Sequence, residues 1–186
     1  PADLDGSGSV DINDFLQIEP AIHSPEQAHA PTEFKGDIVF DGVSYTYPDS
    51  GIVALKNFSA HIAPGETIVV VGKTGSGKST LGLLLNRVMD PNEGRILVDG
   101  VDIRAWDVQA LRRAIGTVPQ DAFLFSDSIA ENIAFGTTDS SRASIEEYAA
   151  LADVADDIQG FPKGYDTIVG ERGVTLSGGQ KQRVSI

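Results

Sequence analysis

A glycine-rich stretch over residues 72–79 has the residue types and spacing of a phosphate-binding loop. Its sequence, Gly-Lys-Thr-Gly-Ser-Gly-Lys-Ser, fits the pattern G-x-x-x-x-G-K-[ST]. Backbone N–H groups in such a loop form a concave anion site, and a helix that begins there adds partial positive charge. We expect Lys78 to reach the β- and γ-phosphates of a nucleotide and the hydroxyl of Ser79 to bind Mg²⁺. The residues predicted to bind the nucleotide here are Gly72, Lys73, Thr74, Gly75, Ser76, Gly77, Lys78, Ser79 and Thr80.

Such a loop needs a strand before it and a helix after it. Residues 68–71, Ile-Val-Val-Val, predict a buried strand, and the apolar residues 81–85 predict a helix. Further along, residues 95–98 and 115–118 predict strands, and residues 108–113 predict a short helix between them. Because strands and helices alternate, we expect an α/β fold with the parallel sheet of a P-loop NTPase core.

The predicted organisation has a part on either side of this core, which spans residues 72–120. Residues 36–71 alternate between apolar and polar side chains, which predicts a small antiparallel β subdomain. Residues 121–175 predict a helical subdomain, because they are compatible with helices and too long for a plain connection. The strands predicted before the loop are residues 37–43 and 53–62, and residues 43–47 either continue the first of them or form a further strand. The helices predicted after the core are residues 128–134 and 144–158.

The composition limits the classes of function that this protein can have. The 186 residues include 27 acidic and 14 basic side chains, giving a net charge of −13, and 41% are hydrophobic. This balance is typical of a globular domain and argues against binding to a nucleic acid backbone, so we expect no nucleic acid partner. The absence of cysteine from the sequence excludes disulfides and thiolate metal sites. Its apolar runs are shorter than a membrane-spanning helix requires.

A second candidate anion site lies near residue 180. Ser177, Gly178 and Gly179 precede a stretch with helical character that starts at Gln180. A hydroxyl and glycine amides at a helix N-terminus can bind an anion, although they can equally form an ordinary helix cap.

Together these residues resemble the nucleotide-binding domain of an ABC transporter. Residues 72–79 match the Walker A loop of that family. Its signature sequence is similar to Leu176, Ser177, Gly178, Gly179 and Gln180, which together with the start of their helix span residues 176–186. The resemblance implies that Gln120 is the Q-loop glutamine, which binds Mg²⁺, and that Tyr47 stacks on adenine. Tyr45 is the competing aromatic residue, and we expect it to be a core residue.

Other segments resemble the exporter type of this family. Residues 169–173 are similar to the X-loop, residues 123–133 also look exporter-like, and residues 12–20 are similar to the connector from the last transmembrane helix. The resemblance implies the cofactors ATP and Mg²⁺, with Lys78 and Gln120 in catalysis and Ser79 and Gln120 at the metal. It implies ATP-driven export at the cytoplasmic face of a membrane. The implied partners are a second nucleotide-binding domain, head to tail, and a transmembrane domain.

The sequence departs from the family at its end. In the family, the Walker B strand, the D-loop and the switch histidine follow the signature, whereas this sequence ends six residues after Gln180. We therefore expect a fragment of a longer protein that is weakly active or inactive alone. The alternatives are another P-loop nucleotide binder, such as a small-molecule kinase or a GTPase, and an ABC ATPase outside transport.

Residues 1–35 predict a linker that contains a second motif. Residues 3–14 have the spacing of a calcium-binding loop, with a glycine at its sixth position. A flexible Gly/Ser/Asp linker would have similar residues, so calcium binding is left open here. Residues 12–20 predict a helix that ends at a proline, and His23 and His29 are expected to be solvated. The possible calcium ligands are Asp3, Asp5, Ser7, Asp11 and Asp14.

Overall fold

The computed structural model describes residues 22–120, 122–137, 139–170 and 174–186. The chain forms two compact units, of which the first ends at Ile115 and the second is Gly116–Ile186. The candidate calcium loop, the helix predicted over residues 12–20 and the last three X-loop residues, 171–173, lie outside the described residues.

The first unit contains a four-stranded antiparallel sheet. Its strands are β1 (Ile38–Thr46), β2 (Val53–Ile62), β3 (Glu93–Val98) and β4 (Val101–Asp102), in the order β2-β1-β3-β4. Phe40 on the central strand β1 pairs with Ala60 on one side and Ile96 on the other. The antiparallel arrangement predicted before the loop is confirmed, and residues 43–46 continue the first strand as part of β1.

Two helices cover the core of this unit. Helix α1 (Lys78–Leu85) follows the phosphate loop, and helix α2 (Val108–Ala114) follows a 3-10 turn at Ile103–Ala105. The helices predicted over residues 81–85 and 108–113 are thereby confirmed. The most deeply buried side chains of this core are Val43, Leu84, Ile96, Val98, Ile103, Trp106 and Leu111.

Two of the predicted strands are wrong. Residues 68–71 and residues 115–118 form no strand, and Val69 and Val71 are 81% and 85% exposed. A parallel strand is stabilised by neighbouring strands at its edges and by helices on its faces. No strand of the described residues pairs with either segment. The pairing among strands β1–β4 is therefore entirely antiparallel, and an isolated bridge between His29 and Trp106 is parallel.

Part of the predicted linker is attached to helix α2. The Ser24 hydroxyl donates to Asp107 Oδ2 at 2.9 Å and accepts from the backbone N–H of Val108, also at 2.9 Å. The His29 ring, although exposed, contacts the buried Trp106 edge to face at 4.9 Å between ring centroids. These contacts make residues 24–29 part of the folded first unit.

The second unit is helical around its own core. It contains α3 (Ile129–Ala134), α4 (Arg142–Leu151), α5 (Ala155–Gln159), a 3-10 turn at Gly164–Asp166 and α6 (Gly178–Val184). The helix predicted over residues 144–158 is two helices, because Asp153 between them adopts a left-handed φ of 55°. The deeply buried core residues include Ile129, Ala149, Val154, Ile158 and Val169. Among the described residues, no helix has the length and apolar character needed to cross a membrane.

Candidate nucleotide-binding site

The phosphate loop ends at Gly77, the N-cap residue of helix α1. Gly77 has a left-handed φ of 84°. A Cβ at this position would collide with the carbonyl oxygen of Ala54 and lie 3.0 Å from Cδ2 of Leu55, both on strand β2. Glycine is therefore required at this position for two reasons, its backbone conformation and the close approach of the loop to the sheet.

The start of helix α1 fits an anion. Gly77 provides no side chain to cap the helix, and the first N–H groups of a helix have no acceptor within it. Gly75, with φ of 80°, and the exposed Ser76 lead into this turn, and Ser79 is exposed in its first residues. The loop thus offers N–H groups and a hydroxyl at its surface, which is the chemistry that a phosphate and its metal ion need.

Lys78 supplies the positive charge of the site. Its Nζ donates to the carbonyl oxygens of Gly72 and Lys73, at 2.8 Å each. The ammonium group is therefore held over the loop by two neutral acceptors. A phosphate oxygen is a stronger acceptor for this group, because a hydrogen bond between two charged partners is roughly twice as strong as a neutral one.

The two tyrosines before the loop differ in their surroundings. Tyr45 is 6% exposed and lies in the core, as expected, and burial raises the pKa of its hydroxyl, with smaller contributions from Tyr47 and Asp49. Tyr47 is partly buried and packs edge to face on Tyr45, with 5.1 Å between ring centroids. Its hydroxyl lies 3.0 Å from that of Thr80 on helix α1, a contact that the sequence pattern did not indicate.

The signature segment caps helix α6 in the second unit. The Ser177 hydroxyl accepts from the backbone N–H of Gln180 at 3.3 Å, and the Gln180 side chain accepts from the backbone N–H of Ser177 at 3.0 Å. This reciprocal pair is a capping box. Gly178 and Gly179 are exposed, whereas Leu176 is 4% exposed and anchors the segment in the helical core.

A second contact fixes this helix, and no sequence pattern indicates it beyond the presence of two charged side chains. Arg183 Nη2 donates to Asp157 Oδ2 of helix α5 at 2.7 Å. Hydrogen bonds from Arg183 and Gln180 hold the pKa of Asp157 below its ordinary value. The residues of the signature are thus held by an N-terminal cap, a buried leucine and an ion pair.

Gln120 lies in the second unit, whereas Lys78 and Ser79 lie in the first. Its backbone carbonyl accepts from the Gln182 side chain of helix α6 at 3.1 Å, and the residue is exposed. Gln120 is therefore connected to the helix of the signature. A shared role with Ser79 at Mg²⁺ stays a prediction.

A Walker A loop that starts a helix beside an antiparallel sheet defines a P-loop nucleotide-binding domain. The family model described as ABC transporter matches residues 55–186, which is more than half of the sequence. The chain therefore belongs to the ABC transporter family.

Two exporters and a flippase are among the similar proteins. A beta-(1→2)glucan export ATP-binding/permease protein of Brucella abortus is 44% identical over 178 residues, covering 94% of this chain and 30% of the relative. The ATP-dependent lipid A-core flippase of Photobacterium profundum is 45% identical over 159 residues, covering 85% and 27%. A solved structure of a bacterial Atm1-family ABC exporter with ATP bound matches with a TM-score of 0.85 at 42% identity. The matched region covers 93% of this chain and 30% of the chain in the solved structure.

The match to the Atm1-family exporter structure confirms the predicted fold class. The chain spans less than a third of the length of these relatives.

Proposed function

We propose that this domain binds ATP with Mg²⁺ at the loop of residues 72–79 and that its parent protein hydrolyses the ATP to drive export across a membrane. The observation that carries this proposal is the position of Lys78. Its ammonium group bridges two carbonyl oxygens of the loop, next to a helix N-terminus that no side chain caps. A triphosphate would replace neutral acceptors with charged ones.

The chain's own residues supply positioning and charge. Lys78 and the loop N–H groups hold the β- and γ-phosphates, and Tyr47 provides an aromatic surface for adenine. Ser79 and Gln120 would hold Mg²⁺, which would neutralise charge on the phosphate oxygens. Phosphoryl transfer depends mainly on such positioning and electrostatic stabilisation, so these roles account for ATP binding and for part of its hydrolysis.

The signature residues serve a second nucleotide-binding domain. In this proposal two domains associate head to tail, and Ser177, Gly178 and Gly179 contact the ATP of the partner. Their exposure at the start of helix α6, together with the buried Leu176 behind them, supports this role. ATP then holds the two domains together, and its hydrolysis releases them.

A transmembrane domain is the other proposed partner, which places this domain at the cytoplasmic face of the membrane. The region after Gln120 exposes a cluster of aromatic rings that contact one another. Phe125 lies 5.2 Å from Phe123 and 4.4 Å from Phe135 between ring centroids, and the three side chains are 44%, 74% and 72% exposed. An exposed aromatic cluster of this kind is typical of an interaction surface. We assign it, with residues 171–173, to coupling with the membrane helices.

The proposed division of labour follows the predicted segments. Residues 1–35 connect to the transmembrane domain, residues 36–71 and 72–120 bind the nucleotide, residues 121–175 contact the membrane part, and residues 176–186 face the partner's ATP.

Displacement of a fluorescent ATP analogue from the 186-residue chain tests the binding part of the proposal. With Mg²⁺ present, ATP should compete strongly and AMP weakly, because the loop recognises the β- and γ-phosphates. Equal competition by ATP and AMP would contradict the assignment. Phosphate release from the same chain should be slow, because the exposed residues 68–71 indicate an incompletely packed nucleotide core. Rapid turnover would contradict that expectation.

A further inference from the structure

We propose that Thr80 is a positioning residue for the adenine surface and that its hydroxyl, through Tyr47, couples base binding to the phosphate loop. This inference rests on the proposed ATP site. The Tyr47 hydroxyl and Thr80 Oγ1 are 3.0 Å apart, and either can donate. Thr80 is 4% exposed, so this hydrogen bond is protected from water on the Thr80 side. It joins two elements that are 33 residues apart in the sequence.

Tyr47 is also held by a ring contact and by hydrogen bonds of its backbone. Its ring packs edge to face on Tyr45, at an interplanar angle of 86°. Its backbone closes the turn between β1 and β2, since its N–H donates to Ile52 and its carbonyl accepts from Gly51, at 2.9 Å each. These contacts fix the backbone of Tyr47 and one edge of its ring. The hydrogen bond to Thr80 fixes the far end of the side chain.

The same bond gives the Thr80 side chain a role distinct from that of its neighbours. Lys78 directs its ammonium group to the loop carbonyls, and Ser79 is exposed. Thr80 is buried and directs its hydroxyl to the tyrosine. In the first turn of α1, Lys78 and Ser79 therefore face the phosphate site, whereas the Thr80 hydroxyl supports the residue that receives the base. A ring held in place before the nucleotide arrives loses less conformational freedom on binding, which favours affinity.

A double-mutant cycle on the 186-residue chain tests this coupling. The variants are Thr80→Val, Tyr47→Phe and the double variant, and the probes are MgATP and inorganic tripolyphosphate with Mg²⁺, titrated by calorimetry. Each single change should weaken ATP binding about 3- to 10-fold, the effect expected for one hydrogen bond. The double variant should be no weaker than the weaker single variant, because both changes remove the same bond.

The tripolyphosphate titrations separate positioning from direct phosphate contact. Tyr47→Phe should bind tripolyphosphate within about twofold of the wild type, since this probe has no base. Thr80→Val should lose more affinity for ATP than for tripolyphosphate. Thr80→Ser retains the hydroxyl and should bind ATP nearly as well as the wild type. Tyr148→Phe removes a hydroxyl from a half-exposed tyrosine of helix α4 and serves as the matched control. Thermal melts of every variant report whether it is folded, and Tyr47→Phe with both probes suffices if Thr80→Val fails to fold.

Two results would overturn this inference without contradicting the proposed function. One is an additive double variant, and the other is a loss of tripolyphosphate affinity by Thr80→Val as large as its loss of ATP affinity. In both cases the wild type still binds ATP through Lys78, so the proposed function stands. A wild-type chain that binds neither probe would overturn the proposed function and this inference with it.

Discussion

Arg183 of the signature helix α6 donates to Asp157 of helix α5 at 2.7 Å between Nη2 and Oδ2. The two residues are 26 positions apart, and their bond ties the last turn of helix α6 to helix α5. Arg183 and Gln180 both hydrogen-bond to Asp157 and lower its pKa in the folded state. The helix that carries the signature is therefore sensitive to the protonation of one carboxyl group.

This pair predicts a loss of stability in acid. The pKa of Asp157 is lower in the folded state than its ordinary value of 3.8, so its contribution is complete above that value. It is lost as pH falls through the lower, folded pKa, that is, below about pH 4. Urea unfolding between pH 7 and pH 2.5 measures this loss. Asp157→Asn should show a smaller acid-dependent decrease than the wild type, whereas the control Asp156→Asn should keep the wild-type decrease. Parallel curves for wild type and Asp157→Asn would show that the pair has no such role.

The chain should tolerate an alanine at Gly82 of helix α1 but not at Gly77 of the phosphate loop. Gly77→Ala places a Cβ against the carbonyl oxygen of Ala54 at a left-handed φ. We expect it to lower the free energy of unfolding by about 1–3 kcal/mol and to weaken ATP binding. Gly82→Ala is the control, because Gly82 lies within α1 with open space around it. It should raise the stability by about 0.5–1 kcal/mol. Thermal melts of both variants measure the contrast, and a wild-type melting temperature for Gly77→Ala would refute it.

The capping box at Ser177 makes a third prediction. Ser177→Ala removes the hydroxyl that accepts from Gln180, and an N-cap replacement of this kind costs about 0.5–2 kcal/mol. Ser177→Asp keeps an acceptor at the N-cap and should retain most of the stability. Chemical denaturation of both variants distinguishes a structural cap from a residue with no effect on folding. Equal stability of Ser177→Ala and the wild type would mean that the cap does not stabilise the helix.

Local patterns allowed much of the first unit to be predicted. Alternation of apolar and polar residues identified β2, and the glycines with Lys78 identified the phosphate loop at the start of α1. The burial of Tyr45 also followed from its place in an alternating strand. These features depend on neighbours in the sequence, which a pattern contains.

Features that depend on distant partners could not be predicted in this way. The valines of residues 68–71 are as apolar as a buried strand requires, but a strand also needs neighbours to pair with, and composition does not provide them. The bonds from Tyr47 to Thr80 and from Arg183 to Asp157 join residues far apart in the sequence. The break at Asp153 depends on a backbone conformation that aspartate adopts only in some settings.

The roles of Lys78 and of the loop are tested most directly by calorimetric titration of MgATP into the wild-type chain and into Lys78→Ala. The wild type should show saturable binding at one site. Lys78→Ala should bind at least about tenfold more weakly, since it loses charge-assisted hydrogen bonds. Lys35→Ala removes an exposed positive charge elsewhere in the first unit and should match the wild type. Heats equal to dilution in the wild type, or the same affinity in Lys78→Ala, would contradict ATP binding by this loop.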